Sequence, residues 1–191
     1  MTTLHEHGAG HPCGEPGAAS VTVIRMGPED WVAHRDLRLA MLRDAPDAFW
    51  ARLEDVQGRS EAEWRTELAG PRLHLQARRG DQVLGGIGVL PEGYTPDEPI
   101  GEDEAHLVSM WVDPRERGSG VSGLLIRAAA ELALELRRPH LTLDVDSANT
   151  RAQRSYERLG FTATGTENPR EGHETSWVQY AAEAHDLLEG S

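Results

Sequence analysis

Glycines and cations gather in one short stretch, "VDPRERGSGVSGLLI" (Val112 to Ile126). Arg115 and Arg117 precede Gly118, Gly120 and Gly123, between an alternating apolar segment and a long amphipathic one. A strand that turns into a helix through glycines points unpaired N–H groups into one space, and the helix dipole reinforces them. Without a Cβ, the backbone can approach a ligand closely. The chemistry such a turn serves is the holding of a phosphate or pyrophosphate. No Lys-Ser/Thr pair follows the glycines, which excludes the P-loop of nucleotide hydrolases. The spacing Gly118-x-Gly120-x-x-Gly123 does satisfy the dinucleotide pattern, with Asp144 near the offset of its ribose acid. However, that pattern belongs on a first βαβ unit, whereas this strand is fourth in order. A strand–turn–helix junction with glycines serving only packing is the structural alternative.

The elements that must position this turn follow from periodicity. "VTVIRMG" alternates as a first strand. "PEDWVAHRDLRLAMLRD" is helical, with Pro28 in its first turn. "APDAFWARLEDVQGRS" is a loop with a helical turn. "SEAEWRTELAG" is a second helix, with Ser60 and Glu63 as a capping box and Gly70 as its stop. "RLHLQARR" and "QVLGGIGVL" form a hairpin about Gly80-Asp81, "AHLVSMWV" is the next strand and "VSGLLIRAAAELALELRR" the clearest helix. "HLTLDVD" is a strand, "NTRAQRSYERL" a short helix stopped by Gly160, and "FTATG" and "HETSWVQYAA" are closing strands. The order β-α-α-β-β-β-α-β-α-β-β defines an α/β chain mixing hairpins with crossovers.

The 191 residues suit one domain over 21–191. Residues 1–20, rich in Gly, Pro, Ala and His, have the composition of a disordered tail. His5, His7, His11 and Cys13 lie there at spacings that match no closed zinc site, so no metal is expected. Cys13 is the only cysteine, which excludes an internal disulfide. The net charge of −13 and the want of a basic patch argue against nucleic acid. No apolar run spans a bilayer or reads as a secretory signal, so a cytoplasmic location and no membrane partner are expected.

A second motif follows the glycine turn: "NTRAQRSYERLGF", Asn149 to Phe161. Together with "SMWVDPRERGSGVSGLL" it resembles the GCN5-related N-acetyltransferase (GNAT) superfamily, in element order over about residues 20 to 180 and sharply over 106 to 161. Arg117, Gly120 and Ser122 fill the family's Arg/Gln-x-x-Gly-x-Gly/Ala motif, Ser122 departing from its last place. The overlapping frame from Arg115 to Gly118 and Gly120 also fits. The resemblance implies a mixed, mostly antiparallel sheet of about seven strands with about four helices. It implies acetyl-CoA as co-substrate, its pyrophosphate held by Arg117, Gly118, Ser119, Gly120, Val121, Ser122 and Gly123. Its pantetheine arm would pair with Met110, Trp111 and Val112, beside an opening toward the next strand. Asn149 would cap its helix and contact the cofactor.

The reaction implied is acetyl transfer to a primary amine by direct attack in a ternary complex. A lysine-like amine is about 99.9% protonated at pH 7, so finding the neutral form costs roughly 4–5 kcal/mol and calls for a base. His106, on a strand where Val108, Met110 and Val112 share its face by alternation, is the first candidate, at a place where branches of the family carry Glu. Glu104, two residues back, is the second. Tyr156 takes the family's tyrosine position as the acid facing the departing sulfur. Because a thiol is more acidic than a phenol, the tyrosine's part is a hydrogen bond to the thiolate. Trp50, Tyr94, Asp97 and Glu98 would flank the acceptor pocket, the alternative being ordinary surface residues. The acidic chain favours a cationic small molecule as acceptor, with peptide amines also open and a homodimer, common in the family, among the expectations. A non-catalytic acyl-CoA sensor and a dinucleotide-dependent oxidoreductase are the rival readings.

Overall fold

The computed structural model describes residues 20–93, 100–170 and 172–189. Residues 1–19, with the histidines and Cys13 of the tail, and residues 94–99, with Tyr94, Asp97 and Glu98, lie outside them. Seven strands form one sheet in the order β1-β2-β3-β4-β5-β7-β6. They are β1 Val21–Arg25, β2 Leu73–Arg79, β3 Gln82–Leu90, β4 Glu104–Val112, β5 His140–Asp146, β6 Thr162–Pro169 and β7 Ser176–Glu183. Every neighbouring pair is antiparallel except β4–β5. The helices are α1 Trp31–Asp44, α2 Leu53–Val56, α3 Glu61–Leu68, α4 Val121–Glu135, α5 Thr150–Arg158 and α6 Ala184–Glu189. The expected order is present. The helical turn expected within "APDAFWARLEDVQGRS" is α2, and α6 is added at the end, where the sequence suggested no element.

Local chemistry sets these boundaries. The Ser60 hydroxyl accepts from the Glu63 amide while the Glu63 carboxylate accepts from the Ser60 amide at 2.7 Å, so α3 begins where its capping box predicts. Gly80, at φ 58°, turns the β2–β3 hairpin. Among the described residues no helix is long and apolar enough to cross a membrane.

Two apolar layers cover the sheet. On one face α4 and α6 bury Val121, Leu125, Ala129 and Leu187 against Leu75, Leu84, Leu107, Leu141 and Leu143. On the other, α1–α3 enclose Met41, Leu42, Val56 and Trp64 with Trp111 of β4. A fully buried leucine such as Leu125 typically costs about 2–5 kcal/mol when cut back to Ala.

Strand β4 does not keep one parity. Its rungs with β3 pass from Gly86↔Trp111 to Gly88↔Val108, so Ser109 and Met110 share the space opposite Ile87. Ser109 sits at φ 55°, a left-handed conformation rare for a side-chain-bearing residue. This is a β-bulge, and it inverts the alternation. Ala105 and Leu107 face α4 before it, Met110 and Val112 face α4 after it, and Trp111 joins the α1–α3 layer. The shared face drawn by alternation through His106, Val108, Met110 and Val112 is therefore corrected: the inserted residue parts His106 and Val108 from Met110 and Val112.

Candidate active site

The parallel contact between β4 and β5 is short. It runs from Glu104↔His140 to Leu107↔Leu143 and stops. Beyond it β5 continues to pair only with β7, through Asp146↔Trp177. The two strands diverge, and a cleft of about 1150 Å³ opens between them. Val108, Ser109 and Met110 line one side, Asp144, Val145 and Asp146 the other, and Asn149, Ala152 and Tyr156 the end. The last three share one face of α5, as their spacing predicts. The splay expected beside the pantetheine strand is present, with Met110 in its wall. Trp111 is buried in the α1–α3 layer, and Val112 is half-buried against the α4 layer.

The glycine turn has the geometry of an anion cradle. Gly118 and Gly120 stand at φ 87° and 90°, and Gly120 is the N-cap of α4 with no side-chain cap. A Cβ at either would meet nothing within 4 Å, so they are required for their backbone conformation, and the space above them is open. Residues 117–120 are exposed, Ser122 and Gly123 half-buried and Val121 buried. The nearby arginines are engaged internally. Arg115 holds Asp113 through Nη2 at 2.7 Å. Arg117 donates from Nε to the Val112 carbonyl at 3.2 Å and pairs with Asp44, which also accepts from Trp111 Nε1 at 2.9 Å. Asp44 thus ties the end of α1 to the cradle, and what the turn offers a ligand is main-chain N–H. A Cβ on Gly123 would stand 3.7 Å from Leu159, the C-cap of α5, so the second motif packs beside the first.

Asn149 caps α5, its Oδ1 accepting from the Ala152 amide at 3.1 Å. Tyr156 packs edge-on to Phe161 with ring centroids 5.8 Å apart. Burial raises its pKa, so the phenol keeps its proton across the working range.

The two candidate bases belong to one polar chain on the α1–α3 face. The Thr142 hydroxyl donates to Glu104 Oε1 at 2.7 Å and so accepts from His106 Nδ1 at 2.8 Å. That fixes the tautomer and directs Nε2 toward Asp144 Oδ2, 3.5 Å away. His106 is 5% exposed, and of this chain Asp144 is the member that lines the cleft. Burial lowers the pKa of His106, against the fields of Asp144 and Glu104. Burial raises that of Asp144, against the field of His106. Each shift disfavours a charge, and the two groups titrate as a pair. Asp144 entered the sequence reading only as a ribose acid. The signal for its place is the alternation of "HLTLDVD", whose polar residues 140, 142, 144 and 146 share one face.

The far wall comes from α1, α3 and the segments around them, with Arg38, Arg59, Glu63, Glu67 and Arg72 among its residues. Trp50, 80% exposed, stacks on Trp177 at 6.4 Å, and Arg170 lies over Trp177 at 4.8 Å while pairing with Asp146. Trp50 lines the cleft as expected; Trp177 and the arginines are absent from the sequence reading.

Comparison with known proteins agrees with this architecture. The model of the acetyltransferase (GNAT) family matches residues 36–161. A mycothiol acetyltransferase from Acidothermus cellulolyticus is 28% identical over 165 residues, covering 80% of this chain and 47% of the relative. The chain thus spans about half the length of that curated relative. Among solved structures, an acetyltransferase of the GNAT family from Streptococcus pneumoniae superposes with TM-score 0.66 at 17% identity, over 86% of this chain and 99% of that one. yncA from Salmonella typhimurium, solved with its cofactor acetyl-CoA, gives 0.65 at 17% over 87% and 95%. The protein belongs to the GNAT family of acetyltransferases.

Proposed function

We propose that this protein transfers an acetyl group from acetyl-CoA to a primary amine. The observation that carries the reading is the opening of β4 from β5 after Leu107↔Leu143, with Met110, Asp144 and Tyr156 around it and the uncapped start of α4 nearby. The open space over Gly118 and Gly120 suits the pyrophosphate, which the amides of residues 117–123 would bind. The pantetheine arm would lie along β4 at the bulge, where the β3 ladder skips a rung. A main-chain N–H of Ser109 or Met110 would polarise the thioester carbonyl.

The amine arrives protonated. Asp144 takes that proton, with His106 behind it, oriented by Thr142 and able to share it. A carboxyl whose pKa burial has raised is a better match to an amine than an ordinary aspartate. The neutral nitrogen attacks the carbonyl carbon, the C–N bond forms, and the C–S bond breaks with its electron pair leaving on sulfur. Asp144 gives that first proton up to solvent, then takes the nitrogen's remaining surplus proton and passes it to the thiolate, giving amide, free CoA and one released proton. Tyr156 donates a hydrogen bond to the departing sulfur. No covalent enzyme intermediate is involved.

Thiol release over a panel of amines, alongside calorimetric binding of acetyl-CoA, tests the reading. Amine-dependent release at stoichiometric amide yield is expected. Acetyl-CoA binding with no turnover on any amine would instead make this an acyl-CoA sensor, and no binding would remove the reading altogether.

A further inference from the structure

The charges of the acceptor wall are unevenly spent. Its carboxylates, apart from Asp144, are answered internally. Glu67 receives Arg59 at 2.5 Å and His34 at 3.3 Å. Glu63 is folded back onto Ser60, and Asp146 holds Arg170. Two arginines have no such answer. Among the described residues, neither Arg38 nor Arg72 has a carboxylate oxygen within 4.0 Å. Arg38 is 9% exposed, and its Nη1 donates to Ser109 Oγ at 3.1 Å and approaches Met41 Sδ at 3.5 Å. Arg72 Cδ lies 3.4 Å from where a Cβ on Gly88 would stand, the point that Val108 Cγ2 approaches to 2.8 Å. The Arg38 guanidinium thus reaches the bulge of β4, and the Arg72 stem lies beside it at Gly88 and Val108. They are close enough for each to feel the other's charge: burial lowers the pKa of Arg38, and Arg72 and Arg59 lower it further against Glu67.

A buried guanidinium with no paired carboxylate is costly, and the half-exposed Arg72 adds repulsion that works against the field of Glu67 on Arg38. A carboxylate relieves both, and the planar fork of arginine suits it. Val108 and Asp144 each follow the last rung, Leu107↔Leu143, where the strands part, and Arg38 and Arg72 line the same cleft. Phe49, Trp50 and Trp177 add apolar surface to the same space.

Resting on the acetyl-transfer reading above, we infer that the acceptor is an amino carboxylate of free-amino-acid size, its carboxylate held by Arg72 and Arg38 and its amine turned to Asp144. The two arginines without a paired carboxylate thus favour the opposite sign of acceptor group from the one suggested by the chain's net −13.

The test compares phenylalanine and leucine with their carboxamides, in the full chain and in Arg72→Gln. Arg72 is half-exposed, and thermal melting checks that the variant stays folded. Two readouts are taken: kcat/KM from thiol release, and calorimetric affinity of the same compounds for the CoA-saturated protein. The native protein should prefer acid over amide about 10- to 100-fold, and Arg72→Gln should lower that ratio by a similar factor. Comparing the ratio between proteins cancels the different amine pKa values of acid and amide. Equal handling of acids and amides, or a ratio the substitution leaves unmoved, overturns the inference while thiol release keeps acetyl transfer standing. No thiol release with any amine, yet a carboxylate-dependent affinity that Arg72→Gln abolishes, overturns the transfer reading and supports the carboxylate site. Loss of both overturns both.

Discussion

Asp144 Oδ2 stands 3.5 Å from His106 Nε2, with the carboxylate in the cleft wall and the imidazole behind it. If this pair takes the amine's proton, Asp144→Asn should lower kcat/KM by about 100- to 1,000-fold and leave acetyl-CoA affinity within about twofold. Steady-state kinetics and calorimetry separate the two effects.

The acid limb of kcat/KM follows from the same pair. Activity requires ionised Asp144, so it falls as pH drops through a pKa that burial holds above the usual aspartate range. The field of His106 lowers that pKa and the field of Glu104 raises it. His106→Asn should therefore move the limb to higher pH, and Glu104→Gln to lower pH. A profile that neither substitution moves would remove the pair from proton transfer.

Tyr156→Phe keeps the edge-on contact with Phe161 and loses only the hydroxyl. The expected fall in kcat is about tenfold or less, because a thiolate is a good leaving group and needs a hydrogen bond rather than a full proton. A loss above about 1,000-fold would mean that Tyr156 transfers the proton itself.

Gly120 holds φ 90° at the start of α4 with open space above it. Gly120→Ala imposes left-handed strain of about 1–2 kcal/mol and places a methyl where the pyrophosphate is expected. CoA affinity should drop about tenfold or more, with a lower melting temperature. Ser122→Ala, which restores the family motif, should hold affinity within a few-fold.

A buried cluster beneath the acceptor wall sets the response to acid. His34, Glu67 and His74 offer donor atoms within 4.8 Å of one another. Burial, assisted by the charge of His34, lowers the pKa of His74 to about 3. The unfolded chain takes up that proton below about 6.5 and the folded chain does not. The contribution, roughly a few kcal/mol, is therefore present in full above pH 6.5 and lost progressively as pH falls toward 3. Glu67 is desolvated, yet its hydrogen bond with His34 and the surrounding positive field hold it at about 2, so its share is lost only between about 4.5 and 2. Urea titrations should show stability declining first between pH 6.5 and 4.5, and His74→Gln should flatten that stretch.

Much of this fold was legible because its signals are local. Ser60 and Glu63 announce α3, Gly80-Asp81 a hairpin, and the stripe from Val121 to Leu132 the central helix. The cradle and Asn149 were legible for the same reason: a backbone that must turn left-handed, or a helix that must be capped, constrains the residue in place. The bulge at Ser109 was not. In "AHLVSMWV" the polar Ser109 breaks the parity of Ala105 and Leu107, but the apolar run around it equally suits a strand buried on both faces, and the inversion is imposed by two layers packing there. Asp144, Arg38 and Arg72 escaped for a related reason. Their meaning lies in which charges remain unanswered after Glu67 and Asp146 have found partners, a sum that closes only in three dimensions.

The four-rung seam between β4 and β5 divides the labour of the cleft between unlike stretches of chain. On the proposed reading the thioester side would be drawn from Met110 and the face of α5, the acceptor side largely from α1, α3 and the segments around Phe49 and Arg72. Descendants of such a scaffold can trade one amine for another by rewriting the N-terminal third, leaving the acyl-delivering machinery untouched. Grafting residues 31–72 from a relative is accordingly the natural route to a redirected enzyme.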